Sequence, residues 1–148
     1  RITGGEPIMH KGTWKLFDWF EQNPDRGRNM RFAINSNLCP TKPAIFERLI
    51  EKSWIVPNLE IYTSMEATKH QAEYIRDGLD YDFWKDNIHQ VLKRGNIKKV
   101  HMMMTINSLC LTTITEFRKN FMVVIAEIIP IVIENTKQRL DPLWEEAP

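Results

Sequence analysis

Glu6 follows two adjacent glycines and precedes a proline, in the stretch Ile2-Thr3-Gly4-Gly5-Glu6-Pro7. Adjacent glycines reach backbone conformations that a Cβ forbids, and they let a ligand come close to main-chain groups. Pro7 fixes φ and lacks an N–H, so the short apolar lead ends as a strand and turns. A carboxylate held at that turn can accept hydrogen bonds from a ligand's ammonium group. The same four residues also fit an ordinary strand-to-helix turn with a solvated Glu. Three more polar pairs follow apolar runs: Asn35 with Asn37, Ser64 with Glu66, and Asn107 with Ser108. At the carboxyl ends of parallel strands such groups would line one ligand-binding edge together with Glu6. Glu66 equally fits a loop acid, and Arg76 a helical residue in a surface ion pair.

Other reactive side chains lack the spacing for a site. His10, His70, His89 and His101 show no ligand spacing on one helix face. Cys39 and Cys110 are far apart and neither belongs to a CxxC pair, so no metal site is read from them. Asp80 and Asp82 read as a helix N-terminus favoured by the macrodipole. The Met102-Met103-Met104 run reads as buried strand.

The elements needed to position the polar pairs alternate along the chain. Thr13 can cap a helix from Trp14 to about Gln22, whose apolar stripe is Leu16, Phe17, Trp19 and Phe20. A strand is expected over Met30 to Asn37 and a helix over Pro43 to Lys52, with Pro43 in its first turn. Leu59 to Ser64 reads as a strand, His70 to Arg76 as a short helix, and Asp80 to Lys93 as a longer one closed by Gly95. A strand over Lys99 to Ile106 and a helix over Thr113 to Lys119 follow. Phe121 to Ile129 reads as strand, and Ile131 to Leu140 as strand or helix. This alternation predicts βαβ units with a parallel sheet.

Bulk properties narrow the class. With 148 residues, 43% hydrophobic and 26% charged, the sequence can form one domain with a real core. A formal net charge of +1 gives no argument for nucleic acid or a membrane surface as partner. No signal peptide is expected, and no apolar run reaches the ~20 residues of a membrane span. The longest, Phe121 to Ile133, contains Glu127 and Pro130. Two isolated cysteines read as reduced thiols of a cytoplasmic protein.

Gly4-Gly5-Glu6-Pro7, after an apolar residue and Thr, resembles the second-strand motif of radical S-adenosylmethionine enzymes. Ala33-Ile34-Asn35-Ser36-Asn37-Leu38 resembles their third-strand motif, often written with Thr-Asn-Gly. Ile61-Tyr62-Thr63-Ser64-Met65-Glu66-Ala67 is similar to the fourth-strand motif, and Thr105-Ile106-Asn107 to the end of the fifth strand. Ala72 to Gly78 with Asp80 is similar to the region that carries an Arg in members with twitch or SPASM extensions. The resemblance runs from residue 1 to about 119 and is best to the twitch subgroup; residues 120–148 diverge. The family's CxxxCxxC loop is not in this sequence, and Ser-Asn-Leu stands where the family has Asn-Gly.

The resemblance implies an α/β fold: a partial (β/α) barrel of parallel strands with outer helices, truncated at its N-terminus. It implies two cofactors, S-adenosylmethionine and a [4Fe–4S] cluster whose ligands are not in this chain. The implied activity is reductive cleavage of S-adenosylmethionine to a 5′-deoxyadenosyl radical that abstracts hydrogen from an unidentified substrate, a peptide being one class. The chain alone is expected to be inactive. Implied cofactor-binding residues are Gly4, Gly5 and Glu6 at the amino group, Ser64 and Glu66 on the ribose side, Arg76 at the carboxylate and Asn107 near the nucleoside, with Pro7 and Asn37 also in the set. The competing reading is a non-catalytic α/β module that binds a nucleotide or small anion at the same strand ends.

Overall fold

Two βαβ crossovers set the architecture. The structure is a computed structural model that describes residues 1–120 and Met122. A 3₁₀ turn at Pro7–Met9 leads into α1 (Lys11–Gln22) and the single turn α2 (Pro24–Gly27). Then come β1 (Phe32–Asn35), α3 (Pro43–Ser53), β2 (Leu59–Ser64), α4 (Lys69–Ile75), α5 (Tyr81–Arg94) and β3 (Lys99–Met103). Residues 114–120 are helical. The three strands form a parallel sheet in the order β1-β2-β3. Ile2 adds a parallel bridge on the outer side of β1: its N–H donates to the Ala33 carbonyl at 2.8 Å, and Asn35 N–H donates to its carbonyl at 3.0 Å. The chain is therefore α/β, with helices between parallel strands.

The strand pleat divides the sheet into two unlike faces. Phe32 and Ile34 of β1, with Leu59 and Ile61 of β2, point into one core with Phe17 and Phe20 of α1, Leu49 and Ile50 of α3, and Trp84, Ile88 and Val91 of α5. Thr63, also on that face and fully buried, accepts a hydrogen bond from Trp84 Nε1 at 3.1 Å. This satisfies both polar atoms and fixes α5 over β2. The opposite face carries Ala33, Asn35, Glu60, Tyr62, Ser64, His101 and Met103, related by the register of the two ladders. Most of these are half-buried, whereas the core shared with α1, α3 and α5 lies on the other face.

Local chemistry explains where the boundaries differ from expectation. Helix α1 starts at Lys11, before Trp14, because His10 takes the cap: its Nδ1 accepts the Gly12 N–H at 3.1 Å. Thr13 is a buried residue of the first turn. Gly95 does close α5, but with φ −89° and not a left-handed turn. Glycine is needed there because a Cβ would lie 2.7 Å from the Val91 carbonyl oxygen. β3 ends at Met103, short of Ile106. Of the strand expected over 121–129 only Met122 is described, and it is helical; the element expected over 131–140 lies outside the described residues. Among the described residues no helix is long and apolar enough to cross a membrane.

Glu60 lies on the open face with only 2% of its side chain exposed. Its cover is shallow, made by its partners Arg31 and His101. Desolvation pushes its carboxyl up, but the hydrogen bonds from Arg31 and then His101 outweigh it, leaving the group below its ordinary value of 4.5. A carboxyl whose folded-state value is depressed adds stability above its unfolded value, and that stability is lost as pH falls through the folded value. The wild type is therefore expected to be more stable than Glu60→Gln at pH 7, with the gap closing as pH falls below 4.5. Urea titrations of both proteins between pH 7 and pH 3 measure it. A gap independent of pH would contradict the assignment.

Candidate functional site

A pocket of about 300 Å³ opens at the carboxyl edge of the sheet. Gly5, Glu6, Asn35, Ser36, Asn37, Ser64 and Arg76 line it. Four chain segments thus meet at one concavity, as strand ends do in parallel α/β sheets.

The opening turn is shaped by its glycines. Gly4 and Gly5 both have positive φ, +94° and +56°, and nothing lies within 4 Å of where a Cβ would stand on either. Backbone conformation, not crowding, therefore demands glycine here. The turn delivers Glu6 as the N-cap of the 3₁₀ turn, with Pro7 at its first position. Glu6 Oε1 accepts the Ile8 N–H at 3.4 Å, and Oε2 accepts the Asn37 N–H at 2.7 Å. The second bond ties the opening segment to the loop after β1. Each carboxylate oxygen has a further lone pair to offer a ligand in the pocket.

The loop after β1 is held under strain. Leu38 is fully buried at φ +56°, a left-handed conformation that costs a non-glycine residue about 1–3 kcal/mol. Its N–H donates to Ser36 Oγ at 3.0 Å, and its carbonyl accepts from Asn87 Nδ2 at 2.6 Å. The Cys39 N–H donates to Asn37 Oδ1 at 2.9 Å. These side-chain-to-backbone turns, anchored by the buried Asn87 of α5, fix the polar groups of the β1 end.

Arg76, the C-cap of α4, is one-third exposed. It donates through Nε to Glu66 Oε2 at 2.8 Å and through Nη2 to Glu66 Oε1. Glu66 is 4% exposed, so the pair fixes the guanidinium in place. Arg76 Nη1 has no hydrogen-bond partner among the described residues.

Of the residues singled out from sequence, Gly5, Glu6, Asn37, Ser64 and Arg76 line one pocket. Gly4 and Pro7 shape the turn behind it. Glu66 does not line it and serves as the partner that orients Arg76. Asn107 does not line it either: its Oδ1 accepts the N–H groups of Leu109 at 2.9 Å and Cys110 at 3.3 Å, closing a turn beyond β3. Sequence reasoning passed over Ser36, Leu38 and Asn87. Ser36-Asn37 carried a turn signal, whereas nothing in the pattern marked a helical Asn as the anchor of a loop 49 residues away.

No family model, curated protein or solved structure matches this chain. Among the described residues no group of three or more His, Cys, Asp or Glu side chains could hold a metal ion.

Cys39 sits beside the pocket with its thiol pushed up to about 12 by burial, and then by the nearby carboxylates of Asp80 and Glu6. At pH 8 it should therefore resist alkylation by iodoacetamide by orders of magnitude relative to a free cysteine of ordinary pKa near 8.5. Unfolding in urea should restore the ordinary rate. Peptide mapping of alkylated Cys39 measures both, and rapid labelling of the folded chain would contradict this electrostatic picture.

Proposed function

We propose that this chain is core-domain sequence of a radical S-adenosylmethionine enzyme, and that its pocket takes the amino-acid head of the cofactor. One observation carries the reading. A carboxylate, Glu6, and a guanidinium, Arg76, line the same small pocket with the strand-end groups Asn37 and Ser64. An α-amino acid head is a zwitterion, and the two charges match its two ends. The ammonium would meet Glu6 and the carboxylate the free edge of Arg76. About 300 Å³ is at the low end for ligand pockets and suits a head group of that size.

A departure from the family pattern also supports the reading. Leu38 stands where the resemblance expects glycine, yet it keeps a left-handed φ of +56°. That is a conformation glycine adopts without strain. The backbone shape of the motif is thus kept although the residue differs, with Ser36 and Asn87 holding it.

The chain's own residues have separable tasks under this proposal. Glu6 is oriented by two backbone N–H groups before any ligand arrives, so little ordering is needed on binding. Glu66 holds Arg76 and partly neutralises it, which makes the carboxylate contact weaker than a free guanidinium would give. S-adenosylmethionine, when bound, would supply the radical chemistry, and Glu6 and Arg76 would hold its amino-acid end in place. The cluster is not accommodated by these residues: the sequence has two cysteines, and a [4Fe–4S] centre is ordinarily held by several thiolates. The proposal requires cluster ligands from outside these 148 residues. The partial barrel and a cytoplasmic location belong to the same proposal. A small-anion module fits less well, because Glu6 lines the pocket and would repel a phosphate.

Calorimetric titration with S-adenosylmethionine tests the proposal. Glu6→Gln should weaken binding roughly tenfold to a hundredfold, the cost of one charge-assisted hydrogen bond of about 1.5–3 kcal/mol. Glu51→Gln, on the exposed side of α3, is the control and should bind like the wild type. A thermal melt of each variant separates lost affinity from lost fold, since Glu6 also caps the turn. A wild type that binds no S-adenosylmethionine, or a folded Glu6→Gln that binds it equally well, would overturn the assignment.

A further inference from the structure

The open face of the sheet holds a group of titratable side chains that the pocket does not use. Glu60 accepts from Arg31 through Nε at 3.2 Å and Nη2 at 2.9 Å, and its Oε2 lies 3.1 Å from His101 Nε2. The His101 ring stacks on Tyr62, with centroids 4.2 Å apart and planes 11° from parallel. The Arg1 guanidinium lies 3.9 Å from the centre of the Tyr62 ring. Arg31, Glu60, Tyr62 and Arg1 are thus the charged and titratable groups around His101, with Lys99 on its own strand.

This arrangement settles which nitrogen of His101 is available. An ionised carboxylate only accepts, so the hydrogen between Glu60 and His101 belongs to Nε2. Nδ1 then carries the lone pair of the neutral ring. It has no hydrogen-bond partner among the described residues and is not among their buried, unpartnered atoms. The side chain is one-third exposed. By register His101 is opposite Tyr62, and Ser64 of the pocket lies two residues further along the same face. Three features that a purely structural histidine does not need therefore coincide: a buried carboxylate fixing the tautomer, a stacked ring fixing the plane, and an open second nitrogen beside a pocket.

We propose that His101 is a proton-transfer residue for a molecule lying on the open face next to the pocket, with Glu60 as its positioning residue. The step is a simple transfer. Nδ1 takes the proton of a hydroxyl or amine on the bound molecule, and the O–H or N–H electron pair stays with that molecule. His101 becomes an imidazolium and keeps its Nε2–H on Glu60. The Glu60 carboxylate stays ionised and stabilises the cation. The proton later leaves from Nδ1 to the product or to water. None of this depends on what fills the pocket.

His70 supplies an internal reference: its side chain is fully exposed and its carboxylate neighbour, Glu73, lies 3.4 Å away and partly exposed, unlike the buried Glu60. Carbethoxylation of the folded chain by diethyl pyrocarbonate at pH 7, followed by peptide mass mapping, gives separate rates for the two histidines. His101 is expected to react faster than His70 despite its lower exposure, because Glu60 orients the ring and enhances Nδ1. In Glu60→Gln that order should reverse while the His70 rate stays the same. A wild-type His101 that reacts no faster than His70 would overturn the proposal. An unchanged His101 rate in folded Glu60→Gln would remove the positioning role of Glu60. If Glu60→Gln does not fold, the wild-type order alone decides.

Discussion

One carboxylate holds the functional edge of this fold together. Glu6 bonds the N–H of its own turn and, at 2.7 Å, the N–H of Asn37 after β1. That second bond joins the Ile2 bridge and the buried Ile8 in holding the opening segment against the sheet. Everything on the carboxyl edge follows from that closure. The glycine turn needs positive φ at two successive residues to aim Glu6 inward, and the β1 loop needs Leu38 in a left-handed conformation to present its N–H groups. The left-handed Leu38 is a costly backbone state kept where the chain meets a pocket, whereas the two glycines reach positive φ without strain. A group that serves as cap, cross-link and pocket wall is already in place before a ligand arrives.

The two faces of the sheet divide the work of the molecule. Phe32, Ile34, Leu59 and Ile61 commit one face to the helices and supply the burial that stabilises the fold. The other face carries alternate polar residues. Glu60 illustrates the trade-off. Burying a carboxylate is costly unless its hydrogen bonds are satisfied, and Arg31 and His101 satisfy it. The guanidinium of Arg76 is placed similarly by the nearly buried Glu66.

Much of this was legible in the sequence. The bounds of β2 are those expected, and α3 and α5 differ by a residue, because strong periodicity and a clear start signal, Pro43 or Asp80, mark each of them. Five of the nine residues that the resemblance implies for cofactor contact line the pocket; Asn37 and Ser64 among them also stood out as polar residues after an apolar run. Glu66 and Asn107 lie outside that lining and have other partners: Arg76 pairs with Glu66, and the backbone of Leu109 and Cys110 bonds Asn107. The role of Glu60 was hidden. Within Leu59-Glu60-Ile61 it reads only as an alternating polar residue, and its partners lie 29 and 41 positions away.

The central claim is that Glu6 and Arg76 together recognise an amino-acid zwitterion. Comparing S-adenosylmethionine with its decarboxylated analogue, which keeps the ammonium and lacks the carboxylate, tests it most directly. Calorimetric titration of both ligands into wild type and Arg76→Gln completes a double-difference cycle. The wild type should bind the decarboxylated analogue roughly tenfold more weakly, the cost of one charge-assisted contact of about 1.5 kcal/mol. Arg76→Gln should bind the two ligands alike. Equal affinities in the wild type, or a difference that persists without Arg76, would contradict the account.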